Sequence, residues 1–395
     1  MENTFSRRIT NGPRVYIAGD GLPAPYRFPI CNQLVVEGRG SIGLQELRRA
    51  TRLASEANPS TRLIYKGWGK ASRLVDSGVT PPVTELDGAG WSGYDFNGIP
   101  FYERLLPIRT GPVSEVLFFR GDPARLVFRT HHGVTDGQGT AMWIEDVFRV
   151  LGGEAPVGSG WTESIDQFRN VVNLPEPKWN GENCLAPTGR PEQIPPGLAF
   201  SRIDINGPVS RLLPRLALLT AEAAWQNNGP GQVIFGIPLS LRPRRPEARS
   251  SSNLSRALYM EVNRETTVDD IQTRVRTYLE KDGPPAVAER VIPYLPLWVL
   301  RRYLEKGVRK GLQTGRYWVS GFLSNVGRFR SDQVSGGGFT ARRVFAIPPC
   351  GLLTPFFLTV MSLDDTITIC VSLPAHLATH NRDRDFMAYL EKQLS

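Results

Sequence analysis

Apolar and polar positions in the first part of the chain alternate between extended and helical spacing. Residues 33–37 have the pattern of a strand, and Leu44, Leu47, Thr51 and Ala54 then fall on one helical face. Asn58-Pro59 ends that helix, because the residue before a proline is pushed out of the α region. Residues 62–68 and 73–76 read as short strands. Residues 114–119 and 125–130 flank Gly121-Asp122-Pro123 and predict a hairpin. Ile144, Val147, Phe148 and Leu151 recur at helical spacing, and Gly152-Gly153 stops the helix they define.

From 152 to 197 the chain turns to glycine, proline and polar residues. This stretch reads as the connection between two domains, residues 1–175 and 176–395. Beyond it come a strand at 200–205, a helix at 216–225 with Pro214 in its first turn, and a nearly continuous apolar strand at 233–239. Thr267-Val268-Asp269-Asp270 opens a further helix as a variant capping box. Arg301-Arg302, Lys306 and Arg309-Lys310 read as the solvated face of another helix. Residues 356–362 and 366–373 form a late hairpin around Asp364-Asp365, and 384–394 a terminal helix. Each half is mixed α and β, with no sequence repeat.

Composition narrows the classes. At 395 residues the chain exceeds one ordinary core, and 41% hydrophobic residues exclude a disordered protein. No apolar run approaches the roughly 18–20 residues of a membrane span. No apolar stretch of signal-peptide type follows Met1. The expectation is a cytoplasmic protein without a membrane role. Cys31, Cys184, Cys350 and Cys370 are scattered and form no Cys-x-x-Cys pair. They read as buried, reduced thiols, with no metal site expected. A net charge of +9 favours anionic partners, but no nucleic-acid-binding motif accompanies it, so no nucleic-acid partner is expected. His376 and His380 sit in no motif and read as surface residues.

The chemistry concentrates in one run. His131 and His132, two of only four histidines, end a predicted strand just before a glycine-bearing loop and a helix. Asp136, Gly137 and Gly139 follow at once. A strand end that opens into a loop presents side chains to a cleft, and imidazole accepts a proton near neutral pH. Of two adjacent strand residues only one faces a given side, so His131 and His132 have different tasks.

The run His131-His132-Gly133-Val134-Thr135-Asp136-Gly137 resembles the His-His-x-x-x-Asp-Gly signature of the CoA-dependent acyltransferase superfamily. That superfamily includes chloramphenicol acetyltransferase, nonribosomal peptide condensation domains, plant acyltransferases and wax-ester synthases. Residues 32–59 are similar to the opening strand and helix of condensation domains, and 232–243 to their strand leading into an arginine. Ser324-Asn325-Val326-Gly327 is similar to a late element of stand-alone members. The Ala-Gln pair of the usual N-terminal condensation motif is missing, as is the late Asp-Phe-Gly-Trp-Gly element of plant acyltransferases.

The resemblance implies two α/β domains of chloramphenicol-acetyltransferase type, arranged as a V with the active-site channel between them. It implies that His132 is the catalytic base, with His131, Asp136 and Gly137 in support. Asp136 is expected to pair with an arginine, for which Arg242 stands first among Arg242, Arg244, Arg245 and Arg249. The Gly137 amide, Ser324 and Asn325 are candidate oxyanion or substrate contacts. No bound cofactor is implied. The acyl group arrives as a phosphopantetheine thioester, on an acyl or peptidyl carrier protein or on CoA, and passes to an amine or hydroxyl of a small-molecule acceptor. No adenylation or carrier segment is recognisable, so such an enzyme works in trans, as a monomer. The competing readings are a CoA-dependent alcohol acyltransferase that forms esters and a non-catalytic, condensation-like docking protein.

Overall fold

The computed structural model describes residues 5–9, 11–68, 71–88, 90–99, 101–160, 178, 183–280 and 292–395. Of the expected connection between domains, residues 161–177 and 179–182 therefore lie outside the described residues.

The first half runs β1 (Ser6–Arg8), α1 (Asn11–Gly19), β2 (Cys31–Gly40), α2 (Leu44–Ala57), β3 (Leu63–Lys66), β4 (Arg73–Asp76), β5 (Val83–Asp87), β6 (Ser114–Arg120), β7 (Ala124–His131) and α3 (Gly137–Leu151). The second runs β8 (Leu198–Asn206), α4 (Leu212–Asn228), β9 (Val233–Ser240), β10 (Ser255–Val262), α5 (Val268–Glu280), α6 (Leu297–Thr314), β11 (Gly321–Phe329), β12 (Phe339–Ile347), β13 (Phe357–Leu363), β14 (Thr366–Pro374) and α7 (Arg382–Leu394). The predicted hairpin is β6–β7, the late hairpin is β13–β14, and the basic segment is α6. The sequence pattern did not announce α1, β5, β10, β11 or β12.

Three sheets organise these elements: β1-β4-β3, β12-β2-β7-β6-β5 and β10-β9-β11-β13-β14-β8. In the five-stranded sheet, β2 lies between β7 and β12 and is buried on both faces through Gly38. On one face Leu34, Val36 and Phe128 meet Trp143, Val147 and Phe148 of α3. On the other, Val35 and Val127 meet Trp91, Phe101 and Phe200. Burial on both sides explains why β2 shows no clean two-residue alternation. The six-stranded sheet packs Phe235, Ile369 and Val371 against Leu216, Ala221 and Trp225 of α4 and Phe386 and Leu390 of α7.

One strand crosses over. β11 and β13 pair in parallel in the six-stranded sheet, yet β12, between them in sequence, leaves for the other sheet. There it pairs antiparallel with β2, with Val344 opposite Val36. The turn into β12 uses Gly337 and Gly338, both in the left-handed region, where residues bearing a Cβ are strained.

All four cysteines are free and buried. Among the described residues, no helix is long and apolar enough to cross a membrane, and no group of His, Cys, Asp and Glu side chains is arranged to hold a metal ion.

Candidate active site

The motif begins where β7 ends. β7 is buried along its whole length and ends at His131. His131 Nδ1 accepts the Gly133 N–H at 2.9 Å, which places its proton on Nε2. Nε2 lies 2.5 Å from Asp20, just past α1. His131 is 1% exposed and occupied on both nitrogens, so it secures the loop.

His132 faces the other way. Its N–H donates to the Ile30 carbonyl at 2.9 Å, and its carbonyl accepts from Asn253 Nδ2 at 2.8 Å. The same Nδ2 lies 3.2 Å from His132 Nδ1. Asn253 Oδ1 is taken by the Ser255 hydroxyl at 3.2 Å, so the amide is held the right way round. The imidazole stacks on Tyr16, with centroids 4.3 Å apart and planes 11° from parallel. Burial pushes the His132 pKa below the ordinary histidine value, while the Asp136 charge and hydrogen bonds to the backbone carbonyls of His132 and Thr135 pull it back. The ring is therefore neutral at pH 7. Burial, reinforced by Asp136, pushes the Tyr16 phenol up to about 12, so it stays protonated.

Asp136 joins the two halves. Oδ1 accepts the Gly139 N–H at 2.7 Å, capping α3, and Arg242 Nη2 at 2.9 Å. Oδ2 accepts Arg242 Nη1 at 2.9 Å and the Leu254 N–H at 2.8 Å. Arg242 sends its other donors to the Ser250 carbonyl, the Ser252 carbonyl and the Ser240 hydroxyl, so every guanidinium N–H has an acceptor. Of the four arginines in that segment, Arg242 is the one paired with Asp136; Arg244 donates to the Tyr278 carbonyl and Arg249 to the Gly158 carbonyl. The contact is close enough to require glycine at 139, where a Cβ would lie 2.1 Å from the Ser251 carbonyl oxygen. Beside this tie Arg7 is buried, donates to the Val134 carbonyl, and is pushed down to about 9 by burial, against the pull of Asp136.

His132, Asp136 and Gly137 open onto a cleft that is continuous with solvent. The second half lines it with Ser240, Ser255, Ser324 and Asn325. Ser324 and Asn325 lie on β11 at a break in its register with β13, between Asn325 and Gly327. Such a bulge re-aims the side chains beside it. His132, Asp136, Gly137, Ser324 and Asn325 thus share one cavity, with Arg242 behind Asp136. Among the described lining residues His132 is the one imidazole, and Asp136 is paired with Arg242.

Tyr16 and Asn253 were not visible as site residues in the sequence. Tyr16 sits on a helix whose Gly12, Pro13 and Gly19 hide its pattern. Asn253 follows three serines in a run that reads as an ordinary polar loop. One surface assignment is corrected. His376 is 2% exposed, its Nε2 lies 3.2 Å from the Tyr317 hydroxyl, and burial, with the Arg382 charge, pushes its pKa down to about 4. It lies within a 3-10 turn, Ala375–Leu377, whose buried side the sequence alone does not reveal. His380 is exposed, as expected, and reaches Glu192 at 3.3 Å.

No family model and no curated protein sequence matches the chain. Solved structures do. The condensation domain of the monacolin K polyketide synthase superposes with a TM-score of 0.62 at 12% identity, covering 98% of this chain and 96% of that one. The starter condensation domain of rhizomide synthetase, a mutant in complex with C8-CoA, gives 0.64 at 15% identity, covering 98% and 94%. The first condensation domain of the calcium-dependent antibiotic synthetase, in complex with a substrate analogue, gives 0.62 at 13% identity, covering 98% and 96%. Over almost its whole length, then, this chain has the mixed α/β fold of a condensation domain.

Proposed function

We propose that the protein is a condensation-type acyltransferase that moves an acyl group from a phosphopantetheine thioester to an amine or hydroxyl. The observation that carries this reading is the imidazole of His132, stacked on Tyr16 in a cleft that both halves line. The acceptor N–H or O–H gives its proton to His132 as its heteroatom bonds to the thioester carbonyl. Nε2 is the accepting nitrogen in the tautomer that carries its proton on Nδ1, in which the Asn253 amide donates to the His132 carbonyl and not to the ring. The carbonyl π pair becomes an oxyanion, for which the Gly137 amide, Ser324 and Asn325 are the donors at hand. Collapse breaks the C–S bond, and His132 returns the proton to the leaving thiolate. His131, Asp136 and Arg242 position the loop. On this reading residues 1–175 and 176–395 are the two acyltransferase-like domains, with β12 exchanged between them. A carrier protein delivers the donor, and the protein's +9 charge suits an acidic one.

The test is His132→Ala with one acyl group presented on a carrier, on CoA and on a short pantetheine thioester, against amines and alcohols. The expected loss is about 10²–10⁴-fold in kcat with folding intact. In the wild type, kcat/KM falls on the acid side with an apparent pKa below the ordinary histidine value. More than half the wild-type rate in a folded His132→Ala protein refutes the assignment. The C8-CoA held by the rhizomide starter domain favours a second reading, an ester-forming enzyme that uses CoA directly. Equal kcat/KM for carrier and CoA donors, unaffected by salt, selects it.

A further inference from the structure

Among the polar residues that line the cleft and have no role in the chemistry above is Gln33. Gln33 lies on β2 directly opposite Arg129 on β7, so the two side chains share a face. The Arg129 guanidinium is fully buried. It is paired with Glu115 and donates to the Arg104 carbonyl at 2.6 Å. Its Nε–H goes to Gln33 Oε1 at 3.1 Å. A guanidinium cannot accept a hydrogen bond, so this contact fixes which way the amide points: the oxygen faces Arg129 and the NH2 faces away. Gln33 is 5% exposed and lines the cleft. Its Nε2 has no acceptor among the described residues, and it is not sealed from solvent as the protein's buried, unpartnered polar atoms are. Two N–H donors therefore point into the cavity that contains His132.

We infer that Gln33 is a specificity-determining residue that donates to a neutral oxygen of the substrate, a hydroxyl or carbonyl lying beyond the reacting carbon. This rests on the acyl-transfer reading of the cleft. In the free protein water satisfies the two donors. A substrate that displaces this water must replace its hydrogen bond or leave an amide buried and unpaired. Sites built around such donors reject analogues that lack the acceptor, whereas apolar walls discriminate weakly. The partner is neutral because among the described residues that line the cleft there is no Lys or Arg, and the arginines behind it are paired, Arg242 with Asp136 and Arg129 with Glu115, which also bridges Arg104. The Arg129–Glu115 pair acts through Gln33, as a positioning group that stops the amide from flipping.

The oxygen can belong to the acyl donor or to the acceptor, and matched probes separate the two. Octanoyl- and 4-oxooctanoyl-N-acetylcysteamine differ by one ketone oxygen; 3-methylbutylamine and leucine methyl ester differ by one ester; each added group accepts hydrogen bonds and donates none. Dissociation constants are measured by calorimetry on the intact protein and on Gln33→Glu and Gln33→Leu. Gln33→Glu keeps an oxygen for Arg129 while replacing the donor by an acceptor, so it tests the idea even where Gln33→Leu fails to fold. In the wild type the oxygen-bearing member of one pair binds about 10- to 100-fold more tightly than its plain partner. The pair concerned shows which substrate carries the oxygen. Gln33→Glu abolishes that preference. Equal affinities within both pairs, or a preference that Gln33→Glu retains, overturn the inference and leave the acyl-transfer reading standing. Absence of binding by all four probes overturns both.

Discussion

Replacing Asp136 by alanine removes four accepted hydrogen bonds at once: two from Arg242 and one each from the Gly139 and Leu254 amides. Arg242 is left with a charge and two donor sites uncompensated. The two side chains are 14% and 4% exposed, so water screens little of the interaction. Breaking a buried pair from one side costs about 3–5 kcal/mol. The lost helix cap, worth about 1 kcal/mol, overlaps that figure because Oδ1 serves both. The expected loss is therefore about 4 kcal/mol. With an unfolding entropy of about 2.1 cal/mol/K per residue over 395 residues unfolding together, Tm falls by about 5 °C, and by about twice that if the halves unfold separately. Arg242→Ala costs less, about 2 kcal/mol, because Asp136 keeps both backbone donors. The assay is thermal and urea unfolding followed by circular dichroism for wild type, both single variants and the double variant. The double variant should be no less stable than Asp136→Ala alone, a coupling of about 2 kcal/mol. Losses that add to within about 0.5 kcal/mol, or an Asp136→Ala protein that melts within a degree of wild type, refute the reasoning.

Two further outcomes follow from the geometry. His376 is neutral in the fold down to about pH 4, whereas in the unfolded chain it takes a proton near 6.5. The unfolded state thus binds more protons between those values, so stability is complete above about pH 6.5 and is lost as pH falls towards 4. The loss is at most on the order of 3 kcal/mol, and His376→Gln should remove that part of the slope of Tm against pH; an unchanged slope contradicts it. Asn253→Ala frees the His132 carbonyl and leaves a gap beside the ring, so kcat should fall about tenfold or more with KM little changed and the acid limb of the pH profile displaced. A wild-type kcat and pH profile would remove Asn253 from the positioning of the base.

What the sequence disclosed follows from how local each signal is. The helix over Leu44–Ala57 and the β6–β7 hairpin announce themselves through apolar spacing and turn residues within a few positions of one another. The His131–Gly137 run is equally local. Arg242 was one of four arginines because nothing nearby in sequence says which reaches back 106 positions to Asp136. β12 reads poorly because Arg342 and Arg343 interrupt its apolar positions, and its register shifts between Ala341 and Arg343. Gln33 was legible as a strand residue but not as a cleft donor, since its orientation is set by Arg129 on a neighbouring strand. Tyr16 and Asn253 reach His132 from far along the chain, one before α2 and the other 121 positions after the histidine.

The placement of β12 also constrains synthesis. Translation supplies the chain from its N-terminus, and early segments ordinarily fold as they appear. Here β2 keeps one edge unpaired until residue 347 has been made, because the strand that covers it comes from beyond β11. Through most of elongation the nascent first half therefore carries an open, apolar strand edge of the kind that recruits stray chains. A ribosome stalled between 152 and 338 should present a chaperone-dependent, protease-sensitive intermediate. A gene split at that connection should yield a soluble product only when both pieces are made together.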